Sequence, residues 1–324
     1  MNHIERALND NNKNWGWYLL VFICAFVASN MIGAIPMLIV AFKSAFSGGV
    51  DMQSGLENVQ SLFQNLNPQT LGIEKNLWLL VMLFPFAILF LTAVLLIKTF
   101  HKRSFAEVIN GTKRIRWNRI FWGFGVWFLL SAIIFVITYF IHPQDFTFNF
   151  QGEKFAILLL ISLLLLPIQT TSEEFLFRGY LLQGFGVWTK SRPIAWICTS
   201  VLFALMHILN PEVGAMGGSI MLQYLWLGLL LGLPAILDDG IEVSIGLHAA
   251  NNLFACLFLT TDVSALQTDA LFKCRLNSGH SFEDFWWLVL ASVVFIAILK
   301  RKFGWSLATL TQKVVPKEET YEPF

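Results

Sequence analysis

Charge is scarce in this 324-residue chain: Asp, Glu, Lys and Arg together make up 13% of it, about half the share of an ordinary soluble domain. With 56% hydrophobic and 15% aromatic residues, a soluble fold of this length would lack the charge to cover its outside. That excludes an ordinary soluble enzyme, a disordered chain and a coiled coil. No excess of basic charge is present either. The formal charge is +1, which gives no footing for nucleic acid. Cysteine is rare, with four residues, too few for a disulfide framework at this length. Cys24, Cys198 and Cys256 lie in apolar runs, where a free thiol acts as a small hydrophobe. Cys274 stands alone in a loop. No internal repeat and no second globular unit stand out.

What the chain has instead is long uncharged apolar runs, each a candidate membrane-spanning helix. They fall at Trp17–Phe42, Asn76–Ile97, Ile120–Ile141, Phe155–Ser172, Val213–Leu237 and Val243–Thr261. Two shorter runs, Pro193–Leu209 and Phe285–Leu299, bring the expected count to eight. The first run is too long for a signal-peptide core and lacks a clean cleavage site, so it reads as a retained helix. The fold expected is all-α and polytopic, an integral membrane protein in contact with the lipid bilayer. Placing the N-terminus inside puts 17 Lys and Arg on inner segments and 5 on outer ones, so both termini are expected in the cytoplasm. Residues 1–154 then hold the first membrane helices, with an outer loop at 43–75 and a basic inner loop at 98–119. Residues 155–260 form the core, and 261–324 hold an outer loop, the last helix and a loose tail. The basic loop reads as a solvated segment anchored to anionic headgroups.

The informative residues are the ionisable ones inside the spans. Glu173, Glu174, His207 and His248 lie there, and such groups are costly in hydrocarbon unless they face a bundle interior or water. No helix breaker precedes Gly179, so the fourth span is expected to run on to about Phe185, with a kink or tilt near Pro167. Counting helical rise then places Glu173, His207, His248 and Asn252 roughly 10–21 Å from the inner surface. An intramembrane polar cavity open to the cytoplasm is therefore expected. Glu174 and Arg178 are four residues apart in the favourable order for a helical ion pair. Glu173 lies about 100° around the helix from Glu174 and is left without Arg178. It suits a general base, and equally a protonated packing residue or an ion-path residue. His248 and Asn252 share one helix face, a pair that alone reads as interhelical hydrogen bonding.

Together, Glu173-Glu174 with Arg178, Phe203 with His207, and His248 with Asn252 resemble the CAAX protease and bacteriocin-processing family of intramembrane glutamic endopeptidases. The likeness covers roughly Phe155–Thr260 and the eight-helix layout, and it implies a bacterial cell (inner) membrane protein that cuts a peptide or membrane-protein substrate. By the same resemblance, Glu173 and His207 activate a water, His248 and Asn252 stabilise the oxyanion, Glu174 and Arg178 orient the site, and no cofactor or metal is needed. Two other classes stay open. One is a zinc-dependent membrane protease, since Glu and two His are suitable ligands, although no His-Glu-x-x-His motif is present. The other is a non-catalytic immunity or scaffold protein. A transporter is disfavoured because the halves show no repeat. The substrate itself is not legible.

Overall fold

The computed structural model describes residues 3–9, 12–64, 66–112, 114–275 and 281–315. The chain is an integral membrane protein built almost entirely of helix. After a short 3-10 turn at Glu5–Asn9 come α1 (Trp15–Gly33) and α2 (Ile35–Ala45). The segment expected as an outer loop holds α3 (Met52–Gln64) and α4 (Pro68–Leu71). Next are α5 (Lys75–His101), α6 (Phe105–Asn110) and α7 (Trp117–Ile141). A strand β1 (Phe146–Phe148) precedes α8 (Gly152–Glu174), a π-helical stretch at Phe175–Leu181 and α9 (Leu182–Thr189). The chain continues through α10 (Arg192–Leu205), α11 (Pro211–Met216), α12 (Gly218–Leu237) and α13 (Glu242–Phe258). Strands β2 (Leu259–Thr260) and β3 (Phe272–Cys274) precede α14 (Ser281–Phe303) and α15 (Ala308–Thr311).

Among the described residues, five helical segments are long and apolar enough to cross a membrane: Trp15–Ala45, Lys75–His101, Trp117–Ile141, Gly152–Thr189 and Gly218–Leu237. Of the eight expected spans, α10 and α13 are short, with 14 and 17 residues, and α14 carries charge at both ends. The expected run Val213–Leu237 is broken at Gly217, whose φ of 72° and ψ of −156° suit glycine alone. The expected run Pro193–Leu209 ends as a helix at Leu205, and His207 lies in the turn that follows. Cys274 is in β3, opposite Phe146 of β1, and the order β1-β3-β2 ties together the segments after α7 and α13. The described part of the tail expected to be loose, up to residue 315, is docked. Val314 is buried, and its N–H donates to Lys190 O at 3.2 Å. Residues 316–324, Lys317 among them, lie outside the described ones, as does Lys113.

In the bundle, α13 packs on α7 and α8, α5 on α1 and α8, and α10 on α12. Gly123 of α7 and Gly246 of α13 each face the other helix's backbone with no room for a Cβ, the close approach that small residues allow in membranes. The end of the bundle that carries the first and last described residues, the terminal end, is closed by paired charges. Glu242 takes a bidentate pair from Arg116, at 2.6 and 2.9 Å. Asp238 is ion-paired with Arg119, whose Nε lies 3.1 Å from its carboxylate, and accepts from Trp305 Nε1 at 2.6 Å. Arg103 bonds Gln183 and Tyr18 Oη, and Arg192 pairs with Glu5 at 3.0 Å. The basic loop is thus partly folded into the body rather than solvated, because the buried acids Asp238, just after α12, and Glu242 of α13 draw Arg116 and Arg119 in. Burial lowers the Arg103 guanidinium to about 10, which leaves it charged at neutral pH.

Candidate active site

The site begins with one uninterrupted helical path from Gly152 to Thr189. The expectation that this span continues past Glu173 is met. Just after the two glutamates the path widens into a π-helical turn, a feature often found at functional sites. Glu174 is fully buried, and its Oε1 receives Arg178 Nη1 at 2.9 Å and His248 Nδ1 at 2.8 Å. Arg178 is also fully buried. Its Nη2 donates to Gly228 O on α12 at 3.1 Å, and its guanidinium lies 4.4 Å from the Phe203 ring centre. Glu174 therefore joins α8 to α13, and Arg178 joins the same path to α12.

Glu173 turns the other way, into a cavity of about 510 Å³. It is 8% exposed. Its Oε2 is buried without a hydrogen-bond partner among the described residues and lies 3.6 Å from His248 Nε2. His207, His248 and Asn252 line the same cavity, so all four residues proposed from the motifs meet there, with Glu174 and Arg178 behind them.

The neighbours fix which ring nitrogen each histidine offers. The His207 Nδ1–H donates to Phe203 O at 2.8 Å, since a carbonyl only accepts, and that leaves Nε2. The ring is sandwiched between Phe203 and Tyr224, with centroids 4.7 and 4.3 Å away. The His248 Nδ1–H donates to Glu174, and its Nε2 is the atom beside Glu173.

Several polar neighbours of the candidate site were not read from the sequence. Trp127 Nε1 donates to Asn251 Oδ1 at 3.2 Å, Asn251 Nδ2 to Asn252 Oδ1 at 3.1 Å, and Asn252 Nδ2 to Gln169 Oε1 at 2.9 Å. An indole N–H can only donate, so it sets the polarity of each amide in turn. Asn252 is left with one N–H to offer the cavity. Gln169 stands one helical turn before Glu173, and Asn251 adjoins Asn252. That spacing is the signal that would have found them.

The cavity does not open where expected. Its lining includes Phe22, Phe26 and Asn30 of α1, Leu209, Asn210 and Glu212 after α10, and Ser264–Leu266 after β2. None of the described residues at the terminal end lines it. The physical reason is the paired-charge seal at that end, together with the early stop of α10 at the other. Glu212 holds the open rim, accepting from Tyr224 Oη at 2.5 Å, from Asn210 Nδ2 at 3.2 Å and from Ala265 N at 3.0 Å.

The part of the chain that holds this site is similar to known proteins. Residues 152–254 match the family model described as type II CAAX prenyl endopeptidase Rce1-like. The chain is 38% identical over 201 residues to the uncharacterized protein YyaK of Bacillus subtilis (strain 168), across 61% of this chain and 66% of that protein. The match thus spans just under two thirds of the relative's length. No solved structure matches.

Proposed function

We propose, from the match of residues 152–254 to the Rce1-like family model, that the chain belongs to the CAAX protease and bacteriocin-processing family and is an intramembrane endopeptidase that hydrolyses peptide bonds with a water held by Glu173 and His207. The observation that supports this reading most is the Glu173 Oε2. It is a buried carboxylate oxygen without a hydrogen-bond partner among the described residues, in one cavity with both histidines. The water would donate one proton to Glu173 and the other to His207 Nε2. As its oxygen attacks the peptide carbonyl, Glu173 takes the first proton and can pass it to His248 Nε2, 3.6 Å away. The protonated His248, backed by the Glu174 carboxylate, and the remaining N–H of Asn252 then face the tetrahedral oxygen. Each such donor is worth about 2.7–4 kcal/mol. The same proton returns to the leaving amine. The test is cleavage of a panel of membrane-associated peptides by the purified chain, with products read by mass spectrometry. Cleavage that is lost with Glu173→Gln supports the proposal, and no cleavage of any peptide favours the immunity or scaffold reading.

A second measurement separates the water-activating glutamate from a zinc site. Turnover is expected to survive exhaustive chelation. Stoichiometric zinc whose removal abolishes activity, with recovery when zinc is returned, would establish the metalloprotease instead.

The amide chain carries its own prediction. Without its donor from Asn251, the Asn252 amide is free to turn its oxygen toward the developing charge. Asn251→Leu is expected to lower kcat by about 10- to 100-fold, approaching the loss of one oxyanion donor, with KM within about twofold. Trp127→Phe keeps the ring but removes the donor and should lower kcat by a smaller factor. An equal rise in KM for both variants would mean that the chain only shapes the pocket.

A further inference from the structure

The cavity and the seal at the other end of the bundle carry an inference about which side of the membrane supplies the substrate. It rests on the proposed protease activity for what is cut, and on geometry alone for where the cavity opens. The first and last described residues, α6, α15 and the paired charges around Asp238 and Glu242 share one end of the bundle, the terminal end. His3 of the N-terminal segment reaches Asp239 and Gln183 there, at 2.5 and 3.0 Å. At that end the α7, α12 and α13 termini are bound together by Arg116 and Arg119, and no described residue of this layer lines the cavity.

At the opposite end the barrier is thin. Helix α10 has 14 residues, about 21 Å of rise, which is less than a hydrocarbon core of about 30 Å. Past its last turn, Met206 and Leu209 are exposed beside the cavity, and Phe26 and Asn30 of α1 are exposed on its other wall. Segment 264–266 forms part of the rim, held by Glu212 and by Trp78 Nε1 donating to Ala265 O at 3.1 Å. The expected outer loop contributes too, since Gln69 bonds Gln267 at 3.1 Å.

We infer that the cavity takes its substrate from the face opposite the termini. The 17-to-5 distribution of Lys and Arg makes that face the extracytoplasmic one. The substrate class is therefore the outer-face segment of an exported or membrane-embedded polypeptide, cut near its outer membrane boundary. Charge narrows the class further. The described lining holds Glu173 and Glu212 and neither Lys nor Arg, so an uncharged or basic segment fits and an acidic one is repelled.

The experiment needs no turnover, so a chain that cleaves nothing can still pass it and an active protease can still fail it. Single cysteines are placed at Ala255 in the cavity, at Asn30 on the α1 wall and at Arg301 near the terminal end, in full-length protein lacking Cys24, Cys198, Cys256 and Cys274. A small, permanently charged methanethiosulfonate is applied to intact bacterial cells and to inverted membrane vesicles. The expected result is reaction of Ala255→Cys and Asn30→Cys in cells, and of Arg301→Cys in inverted vesicles only. Two cavity positions are used so that a variant that fails to fold does not remove the test. The inference is overturned if the cavity positions react only in inverted vesicles, react from neither side, or react equally from both. It is also overturned if Arg301→Cys reacts in intact cells.

Discussion

Changing Glu173 to Gln is expected to lower kcat by about 10²- to 10⁴-fold, the range that a positioned general base supplies, with little change in stability. The side chain keeps its size, and no ion pair to Arg178 is lost because Arg178 is bound to Glu174. The amide cannot take a proton from water, so nothing else in the cavity replaces it at the same position. The check is kcat on a cleaved peptide beside the thermal unfolding midpoint of the same preparation in detergent. Equal turnover in wild type and Glu173→Gln would end the proposed mechanism. The neighbouring change, Glu174→Gln, is expected to lower both activity and unfolding midpoint, because Glu174 holds Arg178 and His248 together.

The largest stability effect is expected at Arg178. Replacing it with Met leaves the fully buried Glu174 carboxylate without its cation and removes the bond to Gly228 O. Breaking a buried pair from one side costs about 3–5 kcal/mol, whereas replacing both partners with uncharged groups of similar size is often nearly neutral. Arg178→Met should therefore unfold far more readily than wild type, and Arg178→Met combined with Glu174→Gln should recover much of the difference. Unfolding midpoints of the two variants in one detergent decide this. A double variant as unstable as the single one would mean that the bond to α12, and not the stranded charge, carries the effect.

The membrane class and the ion pair could be read from sequence because both depend on local spacing. Long uncharged runs report hydrocarbon burial, and Glu174 with Arg178, like His248 with Asn252, follows helical periodicity. The helix past Glu173 was legible for the same reason, as no breaker stands before Gly179. Asn210-Pro211 signals that no helix runs past that point, since a residue before proline is biased out of helix, but the apolar Ile208-Leu209 gives no sign that α10 stops earlier, at Leu205. Gln169, Asn251 and Tyr224 carry no charge, so their presence in a span raises no comparable desolvation signal. The pairs that close the terminal end join residues far apart, as Arg116 and Glu242 do across 126 positions. No window of sequence shows such a meeting, and the direction in which the cavity opens depends on it.

The layer of paired arginines and carboxylates at that end has an electrical consequence. The proposed hydrolysis requires water far inside the membrane without conduction through it. A recess that is wet from one face and plugged at the other acts as a well and not a pore. The membrane voltage then falls mainly across the plug, since water in the recess shares the potential of the face it opens to. Full displacement of one unit charge across 100 mV is worth about 2.3 kcal/mol. On the proposed reading, ion-paired side chains held at 2.6 to 3.1 Å form an insulating floor beneath Glu173 and the two histidines, and a charged substrate reaching that floor would cross little of the voltage.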